Sequence, residues 1–390
     1  MGRSSPQNEV VELSPFGRLA VAHALAVGGD ALVTMALAGS LFFDISPGAA
    51  RGRVALSLVL TMAPFAVVAP FLGPALDRRA GGRRLMLVLA AAGRVVTCLA
   101  MARVVDNLLL FPAAFCSLVL SKTHAVTKSA FVPLVVHAEA ELVEANAKLA
   151  LGGAAAGVVA AVPGVALLKL AGAEVVLWLA AAVFVVAAAA AVRVRPVRPD
   201  DPTRRPAAAE ELSDAGIRLA AVATAVLRAT VGFSTFLLAF SLRRDGAPAW
   251  VFGLVLAAGT VGSSVGAVLA PLARRAVREE HLLTAAAGLV GVGALGAARL
   301  GGRPAAVLIA VAVGVAASAG KLAFDSLVQR DAPDAEQGRQ FARFEARFQL
   351  AWVAGALAPV ALAVPQGSGL VLLATTGFTV ALGYGLARRG

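Results

Sequence analysis

The sequence predicts an all-α membrane protein with twelve transmembrane helices, arranged as two pseudo-symmetric halves of six helices each. The first observation is composition: 59% of the 390 residues are hydrophobic and 15% are charged, whereas soluble proteins carry about a quarter charged residues. The second is that apolar runs of about 20 residues, enough to cross a bilayer, recur along the chain. The third is a single Pro- and Arg-rich interruption near the middle.

The apolar runs are separated by turn-like or charged segments such as DISPGAAR, DRRAGGRR, RRDGAPA and PQGSG. With these as boundaries, the predicted spans are residues 17–43, 53–76, 83–103, 107–128, 148–169, 173–193, 216–242, 250–273, 281–299, 304–325, 341–363 and 368–387. Cys98 and Cys116 both fall inside apolar runs, so we expect neither a disulfide framework nor a metal site. The first run is too long for a signal peptide, and we expect no cleaved signal.

The central interruption divides the chain into two halves. Its sequence, RVRPVRPDDPTRRPAAAEELSD, is rich in proline, which removes backbone donors and disfavours helix. The predicted domains are a six-helix half over residues 1–192, a cytoplasmic linker over 193–215 and a second half over 216–390. A faint repeat supports this division, because spans four and ten each carry a Lys in the last turns, then a Pro and an amphipathic acidic segment. Two similar halves around a cavity are typical of secondary transporters.

Charge distribution predicts the orientation in the membrane. Of the 35 Lys and Arg residues, four lie within predicted spans away from their ends; of those in loops and helix ends, eight are on one side and 23 on the side that holds both termini. Because cytoplasmic loops carry the Lys/Arg excess, we expect both termini in the cytoplasm and the protein in the inner, or plasma, membrane. The net charge of +12 fits this orientation rather than a nucleic-acid partner.

The stretch GPALDRRAGGRR lies between the second and third predicted spans. It resembles the loop signature of the major facilitator superfamily, whose positions are occupied here by Gly73, Asp77, Arg78, Arg83 and Arg84. Three further stretches, GGDALVTMAL, FVPLV and SLVQRDAP with the following QGRQFAR, resemble the branch of enterobactin and macrolide exporters. The resemblance implies the major facilitator fold and a gating role for the loop at the cytoplasmic face.

The first span carries the strongest candidates for a binding site. An ionisable residue inside a span costs about 2.5–3.5 kcal/mol on insertion scales and is a functional candidate by default. His23, Asp30 and Thr34 follow i, i+7, i+11 spacing, which puts them on one helix face. Such a stripe can exchange protons or hold a cationic group of a substrate. The structural alternative is that Asp30 only bonds backbone at a kink after Gly28 and Gly29.

Arg228 lies at a similar depth in the seventh span. It can pair with Asp30, which would neutralise both charges, or meet an anionic substrate, and a purely structural pair is an equal alternative. We expect the remaining buried charges to be structural. Arg94 packs towards neighbouring helices, and Lys321 and Asp325 have the i, i+4 spacing of a salt bridge.

The sequence contains no HExxH, Walker or G-x-S-x-G motif, so we expect neither an enzyme nor a cofactor. It predicts a monomeric secondary transporter that works by alternating access, with a small-molecule substrate and the bilayer as partners. The favoured task is efflux of a small amphipathic or lipophilic compound, as in an antiporter, with the proton as candidate coupling ion. The alternatives are an uncoupled facilitator or lipid flippase, or a non-transporting membrane scaffold or receptor.

Overall fold

The computed structural model describes residues 13–38, 81–105, 107, 109–136, 138, 141–196, 210–331, 337–362 and 364–387. Regular secondary structure within these ranges is entirely helical. Eight of the described helices are long and apolar enough to cross a membrane. The all-α membrane architecture expected from composition is therefore confirmed.

Four described helices precede the linker: α1 (Pro15–Ala38), α2 (Gly82–Arg103), α3 (Leu110–Val135) and α4 (Leu142–Val192). Helix α4 has 51 residues and breaks at Gly172, where φ is 84° and ψ is 177°. This positive φ is accessible to glycine because glycine has no Cβ. The break falls between the fifth and sixth predicted spans, so α4 comprises both of them.

Six described helices follow the linker: α5 (Glu210–Arg244), α6 (Ala249–Arg274), α7 (Glu279–Leu300), α8 (Gly302–Asp331), α9 (Gln337–Leu362) and α10 (Gln366–Ala387). All predicted spans except the second have a described helical counterpart, and that second span, residues 53–76, lies outside the described residues. Helix α5 begins at Glu210, within the last residues of the predicted linker. The sequence after Pro206, AAAEEL, is rich in Ala, Glu and Leu, which are good helix formers.

Small residues allow the helices of each half to approach closely. In the first half, Gly29 of α1 lies against the ring of Phe184, where an added Cβ would come within 2.6 Å of the ring atoms. In the second half, Gly262 and Gly266 of α6 lie against the backbone of α8. The small-xxx-small spacing of these two glycines predicts such a contact.

The two halves meet at one end of the bundle, which we call the linker end because α4 finishes and α5 begins there. Nδ2 of Asn146 in α4 donates to Oε1 of Gln329 in α8 at 2.6 Å, and Nε2 of Gln329 donates to the carbonyl oxygen of Ser129 at 2.8 Å. An apolar cluster from both halves lies beside this bond and contains Val143, Ala147, Ala267, Ala270 and Leu322. The linker end is therefore closed by direct contact between the halves.

The other end, which we call the opposite end, has open volume nearby. A cavity of about 360 Å³ lies between α5, α6 and α8 and is lined by residues between Val231 and Ala317. Its walls are mostly apolar, with four hydroxyl side chains: Ser234, Thr235, Thr260 and Ser263. The described bundle is thus closed at the linker end and hollow towards the opposite end.

Candidate transport site

Three helices of the first half bring polar side chains together around Asp30. The carboxylate of Asp30 in α1 accepts a hydrogen bond from Nη1 of Arg94 in α2 at 3.0 Å and from Oγ of Ser121 in α3 at 2.7 Å. The Asp30 side chain nevertheless remains 32% exposed. We call Asp30, Arg94 and Ser121 the Asp30 cluster. Its carboxylate is paired and still accessible.

Arg94 is the most constrained member of the Asp30 cluster, with no exposed side-chain surface. Its Nε donates to the carbonyl oxygen of Ala90 at 3.0 Å, and its guanidinium carbon lies 4.5 Å from the centroid of the Phe184 ring. Its Nη2 is buried and has no hydrogen-bond partner among the described residues. Removing one partner of a buried ion pair costs about 3–5 kcal/mol, so Asp30 is what makes the buried Arg94 charge tolerable.

The pair between Asp30 and Arg228 that the sequence allowed is not formed in this structure. Asp30 pairs with Arg94 instead. The physical reason is that α1 and α2 both pack on α4 within the first half, whereas Arg228 belongs to α5 of the second half. Arg94 packs between helices, as the sequence indicated, and also carries the countercharge of Asp30.

The other two residues of the predicted stripe have separate partners. Nδ1 of His23 lies 3.2 Å from Nε2 of His124, and the two rings stack with their centroids 5.5 Å apart. Oγ1 of Thr34 donates to the backbone carbonyl oxygen of Asp30 at 2.8 Å. The bonds of these side chains therefore do not join His23, Asp30 and Thr34 into one side-chain network.

A second group of charges surrounds Lys321 of α8. Its Nζ lies 2.6 Å from Oδ1 of Asp325 and 2.5 Å from Oε1 of Glu345 in α9. The salt bridge between Lys321 and Asp325 confirms the expectation from their spacing. Arg228 lies within electrostatic range of Lys321 and Glu345, so Arg228 belongs to this second group.

Sequence reasoning misses Glu345, because the segment FARFEARFQL resembles an amphipathic surface helix. Two signals identify it. Glu345 lies inside the predicted eleventh span, where any ionisable side chain is a functional candidate. The internal repeat is the second signal, because Glu345 has the same position relative to Lys321 that Asn146 has relative to Lys122.

A third group of charges fastens the second half at the linker end. Glu279 is almost fully buried and lies 2.6 Å from Nε of Arg274 and 2.9 Å from Nη1 of Arg330. It belongs to the first turn of α7, where an acidic side chain is favoured by the helix dipole. These bonds join α6, α7 and α8 to one another within the second half.

The gating residues expected from the family resemblance are only partly described. Gly73, Asp77 and Arg78 lie outside the described residues. Arg83 and Arg84 occupy the first turn of α2, and Nη1 of the buried Arg83 donates to the carbonyl oxygen of Ala130 in α3 at 3.0 Å. Arg83 therefore joins two helices of the same half, and its gating role stays a prediction.

The described residues include no group of three or more His, Cys, Asp or Glu that is arranged to hold a metal ion. They offer instead a partly open carboxylate, a cation-rich group and an apolar cavity. Such an arrangement can bind a small organic molecule and exchange protons with it or with water.

Comparison with known protein families gives a match over nearly the whole chain. Residues 19–386 match the Major Facilitator Superfamily. An uncharacterized protein of Mycobacterium leprae (strain TN) is 29% identical over 372 residues, which cover 84% of this chain and 63% of that protein. An uncharacterized protein of Mycobacterium tuberculosis (strain ATCC 25618 / H37Rv) is 38% identical over 138 residues, covering 34% of this chain and 25% of that protein. The chain thus spans less than two thirds of the length of either relative.

Solved structures share the fold at low sequence identity. A bacterial homologue of the iron transporter ferroportin, in an outward-facing state, has a TM-score of 0.71 at 15% identity over 96% of this chain and 98% of that chain. The transporter FucP in the outward conformation has a TM-score of 0.71 at 12% identity over 95% and 98% of the two chains. The human organic anion transporter TETRAN also has a TM-score of 0.71, at 15% identity over 95% and 98%. The resemblance to the enterobactin and macrolide exporter branch stays a prediction.

Proposed function

We propose, since this chain belongs to the Major Facilitator Superfamily, that it exports a small amphipathic compound by alternating access. It is a multi-pass membrane transporter rather than an enzyme. In alternating access one face of the protein closes while the other opens around a site near the midplane. The observation that carries the proposal is the one-sided closure, with Asn146 bonded to Gln329 at the linker end and the cavity nearer the opposite end.

The moving bodies in this proposal are the two halves, residues 1–192 and 216–390, joined by the linker over 193–215. The bond between Asn146 and Gln329 supports this division, because uncharged amides can exchange their mutual hydrogen bond for bonds to water at a small net cost, about 0.5–1.5 kcal/mol. The buried charge pairs at Arg94 and at Glu279 are each formed within one half. Opening the linker end would therefore leave these buried pairs intact.

The linker end faces the cytoplasm in this proposal, with both termini on the same side. The supporting observation is the distribution of basic residues, 23 on the linker side against eight on the other side, because the cytoplasmic side carries the Lys/Arg excess. The membrane is the inner, or plasma, membrane. The described state would then be closed to the cytoplasm, which is the state from which an exporter releases its substrate outside.

Asp30 carries the proton in this proposal. In the described state its carboxylate is partly exposed and bonded to Arg94 and Ser121. A proton that reaches this carboxylate removes the negative charge and leaves the buried Arg94 cation without its partner, which destabilises the state in which the pair had formed. Proton uptake at Asp30 therefore favours the change to another state. Proton release to the cytoplasm re-forms the pair, and inward proton movement drives export.

The experiment measures proton movement into proteoliposomes with an enclosed pH-sensitive dye, after addition of small amphipathic compounds of either charge. The Asp30→Asn variant keeps an oxygen that can accept the hydrogen bond from Arg94, so we expect it to fold and to lose compound-dependent proton movement. Asp245→Asn, at an exposed position between α5 and α6, is the matched control and retains the movement.

Three outcomes oppose the proposal in different ways. Full proton movement in Asp30→Asn excludes Asp30 as the proton carrier. Compound movement without proton movement in the parent protein indicates the uncoupled facilitator or lipid flippase. No movement of any compound, in protein that binds them, indicates the membrane scaffold or receptor.

A further inference from the structure

One carboxylate deep in the bundle, that of Glu345, contacts one basic side chain, Lys321, and lies within electrostatic range of three more. Glu345 of α9 lies within electrostatic range of Lys122, Lys128, Arg228 and Lys321. We call these four residues the cationic cluster. Lys122 and Lys128 come from α3 of the first half, and Arg228 and Lys321 come from α5 and α8 of the second half. The cationic cluster is therefore assembled by both halves together.

The described residues do not balance the charge of the cationic cluster. Its four cations face two carboxylates, Asp325 and Glu345, so the group has a net charge of +2. Lys321 alone contacts both carboxylates, at 2.6 Å and 2.5 Å. Within the described ranges, neither Lys128 nor Arg228 forms an ion pair or a side-chain hydrogen bond.

Neighbouring groups do not remove this excess. Asp30 acts electrostatically on Lys122, but Asp30 is already paired with Arg94 and the two together are neutral. The predicted second span, residues 53–76, contains no Asp or Glu in its sequence. Uncompensated charge in a membrane interior is costly and marks a site for an ion or substrate.

The cationic cluster is accessible although it lies deep among the helices. The side chains of Lys321 and Glu345 keep 20% and 23% of their surface exposed, and Lys122, Lys128 and Arg228 are also partly exposed. A small anion that enters the bundle can reach the cationic cluster.

The apolar cavity lies next to the cationic cluster along two helices. On α5, Ser234 and the other lining residues follow Arg228 towards the opposite end, and at 1.5 Å per residue Ser234 is about 9 Å beyond Arg228. On α8, Ala317 lines the cavity and precedes Lys321 by about 6 Å. The cationic cluster and the cavity therefore lie next to each other along α5 and α8.

We propose that the cationic cluster binds the anionic group of an amphipathic substrate whose apolar part occupies the neighbouring cavity. The inference rests on the proposed transport function and names the substrate class as an organic anion. Lys and Arg side chains bind carboxylates and phosphates by charge-assisted hydrogen bonds, and a cavity of about 360 Å³ falls within the usual range for small-molecule sites, roughly 300–1,000 Å³. The occupant supplies the negative charge for Lys128 and Arg228, which form no ion pair within the described ranges.

The test compares three probes that share one apolar body, namely 2-naphthoate, 2-naphthylmethylammonium and 2-naphthalenemethanol. Binding to the full chain in lipid nanodiscs is measured by isothermal titration calorimetry at equal pH on both sides, with no gradient. We expect 2-naphthoate to bind at least tenfold more tightly than either of the other probes. Equal binding of the three probes, or tightest binding of the cation, would overturn the proposal without any variant.

Variants locate the binding in the cationic cluster. Arg228→Gln and Lys128→Gln should each weaken 2-naphthoate binding at least tenfold and leave 2-naphthalenemethanol binding within about twofold. Arg218→Gln, an exposed arginine earlier on α5, is the matched control and should bind 2-naphthoate as the parent does. Unchanged 2-naphthoate affinity in both folded cluster variants would contradict the assignment.

Failure of this inference is separable from failure of the transport proposal. Equilibrium binding needs neither export nor a proton gradient. A protein that binds 2-naphthoate through the cationic cluster but moves no proton supports the inference and opposes the coupling mechanism. A protein that exports only cationic or neutral compounds supports transport and refutes the inference.

Discussion

The Asp30 cluster and the cationic cluster are both buried groups of charges, but they differ in balance and in origin. In the Asp30 cluster one carboxylate meets one guanidinium, and all three members come from the first half. In the cationic cluster Lys321 alone pairs with the two carboxylates, Lys128 and Arg228 form no ion pair within the described ranges, and both halves contribute. A balanced group formed within one half can persist through a movement of the halves, whereas an unbalanced group at their junction depends on an occupant. This difference is the reason that we propose proton coupling for the first group and substrate binding for the second.

The largest effect is expected when the negative charge of the Asp30 cluster is removed. Asp30→Leu removes the charge and both hydrogen bonds and leaves the fully buried Arg94 cation unpaired, which should lower the free energy of unfolding by about 3–5 kcal/mol. Denaturant titration in detergent measures the loss. The double variant Asp30→Leu with Arg94→Leu should recover most of it. A double variant less stable than Asp30→Leu would show that the pair is not what makes Arg94 tolerable.

The next effect concerns the contact that brings the halves together. Gln329→Ala leaves the buried Asn146 amide without its partner across the halves, at a cost of about 1–3 kcal/mol in the closed state. A shift of about 1.4 kcal/mol changes the ratio of closed to open protein tenfold. Labelling of a cysteine at Ala147, beside this contact, should become correspondingly faster. Gln366→Ala, a substitution near the opposite end, is the control variant. Faster labelling of the cysteine at position 147 in this variant as well would contradict the proposed role of the contact.

A smaller effect is expected on ligand affinity, and it should differ between variants of the cationic cluster and of the Asp30 cluster. Glu345→Gln removes a negative charge from the middle of the four cations, so 2-naphthoate should bind about tenfold more tightly, or by about 1.4 kcal/mol. Asp30→Asn lies in the other group and should change this affinity much less. Calorimetry on both variants provides the comparison. Equal changes in the two variants would mean that the groups are not distinct in function.

The smallest effect comes from a charge pair outside both groups. Lys148 and Glu144 form an i, i+4 pair at 2.8 Å, with side chains 62% and 47% exposed. Because solvent screens such a pair, Lys148→Ala should change the free energy of unfolding by only about 0.3–0.5 kcal/mol. Denaturant titration of Lys148→Ala and Asp30→Leu under the same conditions compares the two losses in the free energy of unfolding. A loss near that of Asp30→Leu would show that burial does not determine the strength of these pairs.

Local features of the fold and site could be predicted from the sequence. Apolar runs predict the helices, and the i, i+4 spacing predicts the bond between Lys321 and Asp325. The interruption before residue 173 predicts the break at Gly172. Each of these follows from residues close together in the chain, where helix geometry determines the spacing of side chains.

Partners far apart in the chain could not be predicted in the same way. Asp30 had two candidate arginines at mid-membrane depth, and only the packing of both α1 and α2 on α4 selects Arg94 over Arg228. The cationic cluster likewise depends on three helices, α3, α5 and α8, that meet α9 near Glu345. Helix periodicity gives the face of each residue but contains no information about which helix lies opposite.

In the proposed transport mechanism, the two halves alternate between closure at the linker end and closure at the opposite end. Double electron–electron resonance measures this directly, on a background with Cys98 and Cys116 replaced by alanine. One label pair is placed at Lys148 and Arg275 near the linker end, and the other at Leu109 and Asp245 near the opposite end, all exposed positions. On addition of 2-naphthoate or acidification, the account predicts a second population in which the linker-end distance lengthens and the opposite-end distance shortens. Two distances that stay fixed, or lengthen together, would contradict it.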